Sequence, residues 1–137
     1  MKLAKLIYIA HGWYLGLTGE PLITEGVQAW KYGPVIKSIY YDFKQYGNNR
    51  IDALQMDEDR CSYPIVTDKN IIELLDKVWE IYSKFTAVQL STMTHIEGTP
   101  WFITWELRGG KNTPDTIIPN ELIESHYKGK VNAPTRE

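Results

Sequence analysis

Cysteine is nearly absent: Cys61 is the single one in 137 residues. An internal disulfide is excluded, and so is a zinc site built on paired thiolates. A lone thiol suits a reducing compartment, and the expected location is the cytoplasm. No apolar run approaches the ~20 residues a membrane helix needs. The opening Met-Lys-Leu-Ala-Lys-Leu-Ile-Tyr-Ile-Ala is interrupted by Lys2 and Lys5. It lacks both the unbroken apolar core and the small-residue cleavage site of a signal peptide. Basic runs are missing too. The formal net charge is -2, and Lys and Arg never cluster beyond isolated pairs, whereas phosphate-backbone binding needs a concentrated basic face. Neither nucleic acid nor membrane is an expected partner.

The motifs of catalysis and metal binding are equally sparse. No G-x-G-x-x-G or G-x-x-x-x-G-K-[ST] phosphate cradle occurs. His11, His95 and His126 fall singly on three different predicted helices, without the i, i+4 pair a helical zinc site uses. Asp57 and Asp59 alternate like the start of a calcium loop. The sixth position of such a loop is not glycine here, and no Glu closes it at the twelfth. Cys61 has no histidine near it in sequence to activate it. No cofactor and no catalytic residue is expected.

What the chain has in excess is aromatic side chains, with 5 Trp and 9 Tyr. Trp13, Tyr14, Trp30, Tyr32, Tyr40, Tyr41 and Tyr46 all lie in the first 46 residues. Some must fill the core. Tyr40 and Tyr41 are neighbours on a predicted helix, so both cannot face inward. Large aromatics near a surface are the usual anchors of protein contacts. Trp30, Tyr32, Tyr40 and Tyr41, with the acidic loop Asp57, Glu58 and Asp59, are therefore the candidate partner-binding residues.

The expected fold class is mainly α with a minor β part: a bundle of five or six helices with a small β-hairpin. A single domain spans 1–129, with a polar, flexible tail over 130–137. Leu3, Leu6, Ile7, Ala10, Trp13, Tyr14 and Leu17 recur at spacings of three and four, one apolar stripe on a helix that stops at Gly16 and Gly19. Leu22–Thr24 and Val27–Trp30 around Glu25-Gly26 predict the hairpin. Gly33 then caps, and Pro34 opens, a helix carrying Ile36, Ile39, Tyr40 and Phe43. No period is sustained over 48–67, a long loop. A third helix, capped by Thr67 or Asp68, places Ile71, Leu74, Leu75, Val78, Trp79, Tyr82 and Phe85 on its apolar face. Thr86 and Gln89 form a capping box, stapled by Phe85 and Leu90. Thr99-Pro100 opens a short helix over Trp101 to Leu107. Pro119-Asn120-Glu121 opens the last helix, which Gly129 ends.

Several blocks together carry a resemblance. They are Lys5-Leu6-Ile7-Tyr8-Ile9-Ala10-His11-Gly12, then Gly19-Glu20-Pro21-Leu22, then Ala29-Trp30-Lys31-Tyr32-Gly33-Pro34-Val35, then Tyr40 and Tyr46-Gly47. The second half adds Leu74-Leu75, Val78-Trp79, Tyr82, Thr86-Ala87, Leu90-Ser91, Thr94-His95, Thr99-Pro100-Trp101 and Ile118-Pro119. Over nearly its whole length the chain resembles the Panacea antitoxin domain, a family with SocA-like antitoxins and phage-associated GepA-like proteins. The resemblance implies a mainly helical fold and neutralisation of a cognate toxin by protein–protein contact. For some members it implies an adaptor role that hands the toxin to a cytosolic protease. The matching signature residues are His11, Gly12, Trp30, Tyr32, Gly33, Pro34, Tyr40, Gly47, Thr94, His95 and Trp101. The chain starts directly at the Lys-Leu-x-Tyr segment, where many relatives carry a further N-terminal helix. Either the start is truncated or the domain is minimal, and a minimal domain is expected to expose apolar surface, which favours self-association into a homo-oligomer or docking.

Two other classes compete with a binding protein. A small hydrolase built around His95 or His11 requires a concave pocket and a His–carboxylate pair. An operon-linked transcriptional regulator requires a basic surface helix.

Overall fold

The computed structural model describes residues 2–43 and 68–132. The loop over 48–67 lies outside the described residues, and with it Gly47, Asp57, Glu58, Asp59 and Cys61. Among the described residues the chain forms six α-helices and one three-stranded antiparallel sheet.

Helix α1 (Lys2–Thr18) is the centre of the molecule. Tyr8, Ile9, Ala10, His11 and Gly12 are all buried, and five consecutive helical residues cannot share one face. The expected single stripe is thus a wrapped helix. Helix α3 (Lys69–Tyr82), helix α4 (Ala87–His95), helix α6 (Asn120–Asn132) and the sheet all pack on it. Gly16 does not end α1 but lies buried within it. The end comes at Gly19, whose φ of 78° is left-handed and whose N–H reaches Leu15 O at 2.8 Å, a glycine C-terminal stop.

Strand β1 (Val27–Trp30) pairs with β2 (Gly33–Val35) on one side and with β3 (Ile117–Ile118) on the other. The hairpin therefore turns at Lys31-Tyr32, not at Glu25-Gly26, and Leu22–Thr24 is not a strand. Val27 and Ala29 are buried while Gln28 and Trp30 are half-buried, the alternation of a sheet with one covered face. Pro34 lies in edge strand β2 opposite Ala29, not in a helix. An edge strand tolerates its missing N–H. Glu25 has a different task. Its carboxylate accepts from Ser38 N at 2.9 Å and from Ser38 Oγ, tying down the first turn of α2 (Lys37–Phe43).

Asp68 caps α3, accepting from Asn70 N and Ile71 N. The helix rests on α1 along the Leu74–Val78–Tyr82 line, one position per turn. Only Val78 is fully buried, while Leu75 and Trp79 are 36% and 62% exposed. The broad apolar face read from the sequence is thus half uncovered by the described residues. The capping box of α4 is present in both directions, Gln89 N to Thr86 Oγ1 at 3.1 Å and Thr86 N to Gln89 Oε1 at 2.8 Å. Leu90 is completely buried. Thr99 caps α5 (Pro100–Phe102), and the chain then widens into a π-helical turn over Ile103–Leu107. Helix α6 runs through Gly129 to Asn132. Glycine weakens a helix by ~1 kcal/mol without ending it, and Ile123 and Tyr127 anchor this one in the core.

Candidate partner-binding surface

The hairpin is held at its tip by three different helices. Lys5 on α1 donates from Nζ to Pro34 O at 3.0 Å. Ser91 on α4 donates to Tyr32 O at 3.2 Å. Trp101 on α5 donates its indole N–H to Trp30 O at 2.6 Å. The Trp101 ring is itself fixed, stacked on Trp105 at 5.7 Å and meeting the edge of His95 at 5.5 Å. His95 bonds through Nδ1 to Ser91 O, and Thr94 Oγ1 donates back to Ser91 O at 2.9 Å.

Gly33 is required twice over. Its φ is 127°, which disfavours any side chain, and a Cβ there would lie 2.9 Å from Lys5 Nζ. Without that Cβ the lysine reaches the strand. Motif blocks from both halves of the chain, Lys5 with Gly33-Pro34 and Trp30 with Thr94-His95 and Trp101, thus meet in one cluster. His11 and Gly12 belong to a separate place, under α6.

A groove of about 520 Å³ runs beside this cluster, between the hairpin, the start of α1 and the start of α4. Trp30, Tyr32, Tyr40, Ala87 and Val88 supply its apolar wall, and Lys5 lines it too. Tyr32 at the hairpin turn is 72% exposed, with Lys31 Nζ 5.4 Å from its ring centre. Trp30 is half-buried, its N–H on Gln28 Oε1 at 2.8 Å and its ring against the edge of Tyr40 at 5.0 Å. Tyr41, 53% exposed, leans on Tyr40 at 5.3 Å. The neighbouring tyrosines therefore split as expected, Tyr40 half-buried and Tyr41 at the surface. Four of the seven candidate contact residues share this face, and the other three, Asp57, Glu58 and Asp59, lie outside the described residues.

Lys5 is the residue that sequence reasoning missed. It sits at i, i+4 from Ile9 and i, i+7 from Gly12, a face that is buried further along α1. A lysine on a buried face was the available signal. Burial draws its amine from 10.5 down to about 8.

Neither histidine of the hydrolase reading has a carboxylate partner among the described residues. His11, fully buried, accepts at Nδ1 from Ile23 N at 3.3 Å and reaches Asn120 Oδ1 from Nε2 at 3.4 Å. Since an amide N–H can only donate, Nε2 carries the proton and the ring is neutral. Burial holds its pKa below 6.5, opposed by the Asn120 bond. His126 is lowered as well, by burial and then by Lys130. As pH falls, protons bind the unfolded chain first, so stability rises with pH across this range. The contribution of the neutral rings is present above about pH 6.5 and is lost below it. The urea midpoint should therefore be lower near pH 5.5 than near pH 7.5, and His11→Gln should shrink the difference. An unchanged midpoint would contradict the buried neutral imidazole.

Among the described residues no helix is long and apolar enough to cross a membrane, and no three His, Cys, Asp or Glu side chains gather as a metal site.

Residues 3–102 match the family described as Antitoxin SocA-like, Panacea domain, and the chain belongs to that family. It is 34% identical over 106 residues to Antitoxin SocA of Caulobacter vibrioides (strain NA1000 / CB15N). That alignment covers 74% of this chain and 56% of the relative, so the chain spans little more than half the relative's length. No solved structure matches.

Proposed function

We propose that this protein is a cytoplasmic antitoxin that neutralises a toxin protein by direct contact, using the hairpin face and without catalysis. The observation that carries the reading is Tyr32. It is a large aromatic side chain, mostly exposed, on a two-residue turn that α1, α4 and α5 tie down. A rigidly mounted tyrosine loses little entropy on binding, which is what an interface anchor requires. Tyr41 and the edge of Trp30 extend the same surface. A further apolar surface on α3, where Leu75 and Trp79 are exposed, leaves room for a second protein contact. An adaptor that presents a toxin to a protease would need one. The histidine partners give the hydrolase reading no support, and the charge pattern gives none to nucleic-acid binding.

The test is affinity for the product of the neighbouring gene, co-expressed and co-purified with this chain. Tyr32→Ala and Tyr41→Ala should each weaken the complex by about 2 kcal/mol, roughly thirtyfold in Kd, with circular dichroism unchanged. Wild-type affinity in both variants would remove the hairpin face from the contact.

A further inference from the structure

The groove beside the hairpin holds a positive charge that the described fold does not neutralise. An ammonium has three N–H donors. Lys5 uses one on Pro34 O, and among the described residues no carboxylate forms an ion pair with it. The groove lining contains Lys5 and Lys31 but no Asp or Glu. Its remaining wall is aromatic and aliphatic. Such a slot favours a ligand with an apolar body and one negative charge. Lys31 lies over the exposed Tyr32 ring, 5.4 Å from its centre, and Lys5 is tied to Pro34 O, whereas a phosphate is usually held by several cations.

We propose that the groove reads a carboxylate: it binds a segment of the partner protein in which a large apolar side chain lies beside an Asp or Glu, with that carboxylate on Lys5 Nζ. The inference rests on the reading of this face as the toxin-binding surface, and it names the chemistry of the segment bound. The apolar side chain lies against Trp30, Tyr40 and Val88. Because Lys5 is half-buried and anchored by Pro34 O, its ammonium is partly dehydrated and aimed before the partner arrives. A charge-assisted hydrogen bond formed there gains more than one at an open surface. Gly33 belongs to the same device, since any side chain at that position would displace the amine. The volume of about 520 Å³ is within the range of sites that enclose a small ligand or a pair of side chains.

The experiment is selection of random twelve-residue peptides, displayed with their C-termini fused so that only side-chain carboxylates are offered. The full chain is the bait. Enriched peptides are synthesised in pairs, parent and single Asp→Asn or Glu→Gln, and measured by fluorescence anisotropy against wild type, Lys5→Met and Val88→Asp. Lys5→Met keeps the stem and removes the charge. Val88 is 75% exposed, so Val88→Asp adds a competing carboxylate without touching the core, and it serves if Lys5→Met does not fold. Wild type should select Asp or Glu next to Trp, Phe, Leu or Ile. The amide exchange should weaken binding about tenfold or more, and that difference should vanish in Lys5→Met and shrink in Val88→Asp. No enriched peptide, or a carboxylate preference unchanged in both variants, overturns the pocket. Binding only by peptides with a free C-terminus overturns the side-chain assignment. If the pocket behaves as stated while the neighbouring gene product does not bind, the toxin reading fails and the pocket stands. If that product binds wild type and Lys5→Met equally, the pocket fails alone.

Discussion

Gly12→Ala is expected to destabilise the protein by about 2 kcal/mol or more, several degrees in Tm. A Cβ on Gly12 would fall 2.2 Å from the Tyr127 ring, far inside contact distance. The ring cannot step aside. It is buried and meets the Trp13 edge at 5.4 Å, and the Trp13 N–H is bonded to Tyr82 Oη at 3.0 Å. One turn on, a Cβ on Gly16 would lie 2.9 Å from the α6 backbone itself, at Lys128 N. The two glycines are what allow α1 and α6 to cross so closely. Intrinsic propensity runs the other way, since alanine is better in a helix than glycine by ~1 kcal/mol. Gly129→Ala is the internal control. Gly129 lies on the exposed side of α6 with nothing within 4 Å of a Cβ there, and the exchange should raise Tm slightly. If Gly12→Ala also raises Tm, the close crossing is wrong.

Trp101→Ala is the second large effect, a loss of about 3–5 kcal/mol by cavity formation alone. Trp101 is buried, stacked on Trp105, and donates to Trp30 O. The same substitution should release the hairpin and abolish partner binding. The informative variant is Trp101→Phe, which keeps much of the volume and removes the donor. It should cost about 1–2 kcal/mol and speed hydrogen exchange in β1 and β2. Unchanged exchange there would mean that Trp101 supports the core and not the hairpin.

Local signals were legible where a local rule decides the outcome. The α3 cap at Thr67 or Asp68, the Thr86–Gln89 box and the Thr99-Pro100 start are set by side chains reaching their own backbone, and all three are present, with Asp68 taking the first. The mainly helical class with a small antiparallel sheet was legible from periodicity. The hairpin register was not. Lys31-Tyr32 carries no turn-forming residue, whereas Glu25-Gly26 does, and the true pairing depends on Lys5, Ser91 and Trp101 arriving from elsewhere. Gly16 and Gly129 misled for one reason. Glycine in a sequence signals a break, but in α1 it signals a neighbouring helix, and in α6 the anchored Ile123 and Tyr127 outweigh it. The candidate aromatics were legible as a group because they crowd into 46 residues. Lys5 was not, because only the fold brings Gly33 and Pro34 over it.

The most direct test of the central claim is growth. Cells expressing the neighbouring gene product should stop growing, and co-expressed wild-type chain should restore growth. The Tyr32→Ala, Tyr41→Ala double variant, equally folded and equally abundant, should fail to restore it. Equal rescue by the double variant would contradict neutralisation through the hairpin face, and a folded wild-type chain that neither binds nor rescues would contradict direct neutralisation of that product.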